Sequence, residues 1–134
     1  MTHASSAEPN IRVLIADDDA GFRHSLQELI DRQPELSVIG AAENGLEAIE
    51  LADRLDPDAV VIDLHMPIVD GVTAVARLRK DHPSLCLIAL TGDTDGELHE
   101  AVTEAGADAV LLKSDLVDSL VDRLRAVRAE QAPG

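Results

Sequence analysis

Six residues carry the chemistry on offer: Asp17, Asp18, Asp19, Asp63, Thr91 and Lys113. Each stands at the end of a short apolar run. The three consecutive aspartates follow IRVLIA, Asp63 follows AVVI, Thr91 follows LCLIAL and Lys113 follows AVLL. Carboxylates gathered in one place repel one another, and their titrations couple. A hard divalent cation relieves that conflict. Mg²⁺, or Mn²⁺ in its stead, takes oxygen ligands plus water and favours sites shared with a phosphate. Beside such an ion an aspartate carboxylate is a nucleophile toward phosphorus, and the product is an aspartyl phosphate. The metal offsets charge on the transferring group, while an ammonium and a hydroxyl hold its outer oxygens.

For this to work, four distant stretches of chain must meet. The apolar runs Ile11–Ala16, Leu36–Ala42, Ala59–Ile62, Leu85–Leu90 and Ala109–Leu112 have the length and β-branched content of strands, several covered on both faces. Between them lie stretches with helical spacing, marked by Phe22, Leu26, Leu29 and Ile30, then Leu46, Ile49, Ala52 and Leu55. Val72, Val75 and Ala76 mark a third, and Leu98, Ala101, Val102 and Ala105 a fourth. Leu116, Val117, Leu120, Val121, Leu124 and Val127 form the clearest stripe. Asn44 reads as a helix cap, Gly106 as a C-terminal cap, and Pro34, Pro57 and Pro83 fall between elements. The expected fold is α/β, a (βα)₅ chain with a parallel sheet, right-handed crossovers and helices on both faces. In such a sheet ligands bind at the carboxyl ends of the strands, which is where the six residues stand.

Composition narrows the function classes. A length of 134 residues favours one domain, expected over 11–128, with loose tails at 1–10 and 129–134. Phe22 is the sole aromatic residue, so single strands of nucleic acid have no stacking platform. A net charge of −15 repels phosphate backbones, and direct nucleic-acid contact is not expected. Cys86 is the single cysteine, which excludes an internal disulfide and reads as buried filler. His3, His24, His65, His82 and His99 lack metal-ligand spacing and read as surface or loop residues. With apolar runs too short for a bilayer and no signal-peptide pattern, a cytoplasmic protein without membrane contact is expected.

The ordered segments IRVLIADDD, VVIDLHMPIVDG, IALTG and AVLLK resemble the successive signatures of response-regulator receivers, from Ile11 to about Arg128. The resemblance implies a flavodoxin-like fold with strand order 2-1-3-4-5. It implies Asp63 as phosphoacceptor and Asp17 and Asp18 as the acid pair that holds Mg²⁺, with Asp63 and the backbone carbonyl of His65 as further ligands. Thr91 would be the switch hydroxyl and Lys113 the phosphate-binding ammonium. Met66-Pro67 and Asp70-Gly71 would shape the loop after the phosphoacceptor. The side chains of His65 and Asp93 occupy the slots that modulate phosphoryl lifetime in this family. Asp19 reads as the cap of the first helix rather than a ligand, and Asp70 as a helix-start residue.

Two departures stand out. The slot three residues before the lysine, often aromatic in receivers, holds Val110, which has no ring to swing between exposed and buried rotamers. Lys113 precedes Ser114 rather than proline, and with the IADDD opening this is closer to receivers of the nitrate-regulator type. Those usually carry a helix-turn-helix output domain, for which no segment is read here.

The resemblance implies a two-component phosphorelay switch and not a conventional enzyme, since its chemistry is confined to its own phosphorylation and dephosphorylation. The partner would be a sensor histidine kinase or phosphotransfer protein. A homodimer through the face formed by the fourth helix, fifth strand and fifth helix is compatible with Asp118, Asp122, Arg123, Arg125 and Arg128, as is an ordinary solvated helix. The competing reading is a constitutive interaction module without regulated switching, which Val110 favours and the intact acid, hydroxyl and lysine set opposes. A phosphohydrolase of the haloacid-dehalogenase type wants a second aspartate two residues after the nucleophile, where this chain has His65.

Overall fold

In a computed structural model, the structure describes residues 10–66, 69–92 and 96–131, without the side chains of 116–118 and 128–131. Strands and helices alternate: β1 (Ile11–Ala16), α1 (Ala20–Asp31), β2 (Leu36–Ala42), α2 (Gly45–Leu55), β3 (Ala59–Asp63), α3 (Gly71–Asp81), β4 (Cys86–Thr91), α4 (Gly96–Ala105), β5 (Ala109–Leu112) and α5 (Leu116–Gln131). All neighbouring strands pair in parallel, in the order β2-β1-β3-β4-β5. The expected (βα)₅ fold and its strand order are both observed.

The central strands alternate between two cores, which explains why they read as continuous apolar runs. Leu14 and Ala16 of β1, Val60 and Ile62 of β3, and Leu87 and Ala89 of β4 face one core, together with Ala48 and Ala52 of α2, Val75 and Leu78 of α3, and Val102 of α4. Their neighbours Val13, Ile15, Val61, Ile88 and Leu90 face the other, against Leu26 and Ile30 of α1 and Leu120, Leu124 and Val127 of α5. Burial of both faces pins the register, because a slip of one residue would exchange every side chain between cores.

Helix starts follow from local polar residues. Asp19 accepts from the N–H groups of Gly21 and Phe22 at 3.0 and 3.2 Å, Asn44 from Glu47 at 2.8 Å and Asp70 from Thr73 at 2.9 Å, each satisfying orphan donors of a first turn. Gly106, just past α4, has φ +123°, and a Cβ there would lie 2.6 Å from Arg79 Cγ. Glycine is therefore required for both backbone and space.

Three expectations are corrected. Residues 129–131, expected in the tail, continue α5 to Gln131; Ala129, Glu130 and Gln131 are strong helix formers. β4 begins at Cys86 rather than Leu85, because Leu85 donates its N–H to the His82 carbonyl in the preceding turn; it ends in Thr91, as expected, which pairs with Leu112. Cys86, at the strand's open end, is only half-buried. Among the described residues no helix is long and apolar enough to cross a membrane.

Candidate functional site

The chain winds outward from β1 to β2 and then crosses back to β3, so the sheet reverses direction between β1 and β3. The carboxyl ends of these two strands flank the crevice where such sheets take ligands. Asp17 follows the last residue of β1, its N–H bonded to the Ala42 carbonyl of β2 at 3.0 Å. Asp63 is the last residue of β3, in the row next to β4. Carboxylate oxygens of Asp17, Asp18 and Asp63 lie within 4.8 Å of one another, spacing that suits a shared cation. Asp17 and Asp63 are buried at 0% and 3% exposure, whereas Asp18 is exposed. This set gives one cation-accessible ligand at the rim and two at the floor, all oxygen, which fits a hard divalent ion that keeps part of its water shell.

Lys113, the first residue after β5, reaches across the edge of the sheet. Its Nζ donates to Asp17 Oδ2 at 3.1 Å and lies 3.5 Å from Asp63 Oδ2. Burial pushes the Asp63 carboxyl above the ordinary aspartate range and the Asp17 charge adds to this, while the His65 N–H (3.2 Å from Oδ1) and Lys113 pull it back. For Lys113, burial works against the charged form, but its bond to Asp17 and the charge of Asp63 outweigh burial, and the ammonium holds its proton above the ordinary lysine value. Thr91 ends β4 and is fully buried at the same edge.

The loop after Asp63 is held close. Gly71 donates its N–H to the Leu64 carbonyl at 3.2 Å, and a Cβ on Gly71 would sit 2.4 Å from Leu64 Cα and 2.7 Å from the Asp63 carbonyl oxygen. Only glycine allows α3 to start there. Asp19 serves as the α1 cap and lies outside the acid set, as its sequence context predicts. The His65 side chain is exposed beside the site. Val110 is half-buried against the core under α2, α3 and α4. Asp93 and Pro67 lie outside the described residues.

Two contributors escape sequence reasoning. The Arg23 Nη1 donates to the Asp17 backbone carbonyl at 2.7 Å, and its Nη2 lies 3.7 Å from Glu43 Oε1. A cation in the first turn of a helix opposes the macrodipole, and that anomaly was the available signal of an anionic partner. Phe22, one residue earlier, spaces like a core residue, yet its ring centroid lies 4.3 Å from Lys113 Nζ. On the fifth helix, Arg125 is already engaged within the chain, with Gln33 at 2.7 Å and Glu35 at 3.3 Å.

Comparison with known proteins agrees with this fold. Residues 13–125 match the family model of the response regulator receiver domain. The transcriptional regulatory protein YdfI of Bacillus subtilis is 36% identical over 115 residues, covering 86% of this chain and 54% of YdfI. The response regulator domain of Thermotoga maritima CheB superposes with a TM-score of 0.83 at 29% identity, covering 92% of this chain and 99% of that one. The signal receiver domain of NarL from Mycobacterium tuberculosis has a TM-score of 0.80 at 24% identity, covering 87% and 98%, a likeness of fold. Several curated relatives are far longer: the chain spans 54% of YdfI and 23% of a Photobacterium profundum protein-glutamate methylesterase/protein-glutamine glutaminase.

Proposed function

Because the chain belongs to the response regulator receiver family of two-component systems, we propose that it is a phosphorylation switch whose acceptor is Asp63. The observation that carries this reading is the convergence of Asp17, Asp18 and Asp63, with Lys113 bridging Asp17 and Asp63. In the transfer step an Asp63 carboxylate oxygen attacks phosphorus in line with the leaving group. A new P–O bond forms as the P–N bond of a phosphohistidine breaks, and the electron pair stays on the departing imidazole. Asp17, Asp18, Asp63 and the His65 carbonyl would hold Mg²⁺ or Mn²⁺, which supplies charge neutralisation to the transferring oxygens when bound. The Thr91 hydroxyl donates to one outer oxygen, and Lys113 exchanges Asp17 for another. Pre-organised donors of this kind act strongly because the floor of the site excludes water.

The donor is a sensor histidine kinase or a phosphotransfer protein, and the setting is the cytoplasm. His65, exposed next to the acceptor, tunes access of the attacking water and hence phosphoryl lifetime, together with Asp93. Residues 11–128 act as the switching unit. Output runs through partner contacts or homodimerisation on the face of α4, β5 and α5. Since Arg125 is occupied internally, Asp122 and Arg123 are the exposed charges among the described residues that α5 offers to that contact. A DNA-binding or catalytic output would belong to another domain.

Val110 favours a second reading, a constitutive interaction module, because an aliphatic residue in that slot cannot report the state of Thr91 by rotating a ring. Beryllofluoride separates the two. With Mg²⁺ present, the switch predicts slowed amide exchange in the segment after Thr91 and on α4, lost in Asp63→Asn. Unchanged exchange throughout would refute regulated switching.

A further inference from the structure

The single phenylalanine of a chain without tyrosine or tryptophan lies against the lysine of the site. Phe22 sits in the first turn of α1, partly buried against the core shared with α5. A leucine or valine would also be apolar in that place. An aromatic face offers something they lack, a negative quadrupole that attracts an ammonium. Lys113 Nζ lies 4.3 Å from the ring centroid, with Asp17 Oδ2 at 3.1 Å and Asp63 Oδ2 at 3.5 Å.

The Phe22 backbone is itself anchored to the acid segment. The Asp19 N–H bonds to Asp17 Oδ1 at 2.8 Å, and Asp19 Oδ1 accepts from the Phe22 N–H at 3.2 Å. Lys113 then returns to Asp17 through its ammonium. Asp17, Asp19, Phe22 and Lys113 thus form a closed circuit of contacts around the site. Apart from this circuit and the Asp63 carboxylate, Lys113 has little to hold it, since β5 is a four-residue edge strand and the lysine begins a 3₁₀ turn immediately beyond it. A lysine stem keeps considerable rotamer freedom unless something confines it.

We infer that Phe22 is a positioning residue for Lys113: its ring confines the ammonium to the mouth of the site while leaving it free to exchange carboxylate for phosphoryl oxygen. The inference rests on the proposed phosphotransfer. A hydrogen bond would fix Nζ in one direction, and the exchange would then require breaking it. Attraction to a ring face depends weakly on direction, so Nζ slides across the ring during transfer without losing it.

The test replaces Phe22 by mono-, di- and trifluorinated phenylalanines, which keep the shape and progressively weaken the ring face, with Phe22→Leu as the end point. Acetyl phosphate with saturating Mg²⁺ serves as donor, and intact mass gives the rate of Asp63 phosphorylation. The expected result is a graded fall reaching about three- to tenfold, with the thermal midpoint of the fluorinated proteins unchanged. In a Lys113→Met background the residual rate stays flat across the series. A flat series with Lys113 present, or the same slope without it, overturns the inference. If the wild-type chain forms no adduct, the phosphotransfer reading fails, and the ring contact is judged by NMR alone. The Lys113 ε-methylene protons then show an upfield ring-current shift that Phe22→Leu abolishes; its absence in the wild-type protein overturns the inference independently.

Discussion

Replacing Lys113 by methionine removes the ammonium and keeps most of the stem. Two carboxylates then lose the cation that bridges them, Asp17 at 0% and Asp63 at 3% exposure. At separations of 3.1 and 3.5 Å, an effective dielectric of about 20 gives a gross attraction of roughly 5 kcal/mol for each pair. Much of this is offset by the cost of desolvating the ammonium, and the lysine side chain keeps 27% exposure, so solvent screens it further. Breaking a fully buried pair costs about 3–5 kcal/mol, and a partly wetted one about 2. The metal-free variant is therefore expected to be about 2 kcal/mol less stable in urea denaturation with a chelator present.

Mg²⁺ should narrow this difference. With Lys113 gone, nothing competes for the carboxylates, and Mg²⁺ binds more tightly, by about tenfold if roughly 1.4 kcal/mol of repulsion between the cations is relieved. Since a ligand of the folded state stabilises by RT ln(1 + [L]/Kd), the variant gains more from Mg²⁺ than the wild type and the gap narrows. Calorimetric titration and paired urea curves, with and without Mg²⁺, read both quantities. A Lys113→Met protein of unchanged metal-free stability, or one that binds Mg²⁺ more weakly than wild type, would refute the electrostatic account of the site.

Gly71→Val drives a side chain into the Leu64 backbone and the Asp63 carbonyl; a loss of about 3 kcal/mol in urea and slower phosphorylation at a permissive temperature are expected. Asp63 keeps its proton above the ordinary aspartate value of 3.8, so the folded state binds more protons than the unfolded one just above that pH. Metal-free stability therefore falls as pH rises through this window, and Asp63→Asn flattens that part of the curve, as chelator-containing melts across acidic pH will read. Lys113 holds its proton above 10.5, so its contribution is fully present below that value and is lost as pH rises beyond it. The stability gap between wild type and Lys113→Met should close in alkaline solution.

The site was legible because it is written at strand ends. An aspartate or lysine directly after an apolar run must emerge at the carboxyl edge of a parallel sheet, and Asp17, Asp63, Thr91 and Lys113 do so. The caps Asp19, Asn44 and Asp70 were legible too, since they act on the next two or three residues. Strand order came from family resemblance, because hydropathy says which segments are strands and nothing about their neighbours. Long side chains that bridge distant elements were not legible. Arg79 reaches from α3 to the carbonyls of Pro83, Leu85 and Gly106 and to Asp108, tying the turn before β4 to the loop before β5. Its partners, up to 29 residues away, come within reach only once the sheet has formed. Arg23 and Phe22 are similar: local spacing describes the helix they sit on, whereas their partners lie just after β1 and β2 and in the turn after β5.

Borohydride reduction tests the central claim most directly. It converts an aspartyl phosphate to homoserine and so marks the acceptor permanently. After reaction with acetyl phosphate and Mg²⁺, reduction and peptide mass analysis, homoserine is expected at position 63 alone, absent with chelator and absent in Asp63→Asn. Homoserine at position 17 or 18, or an unmodified position 63 at saturating donor, would contradict the account.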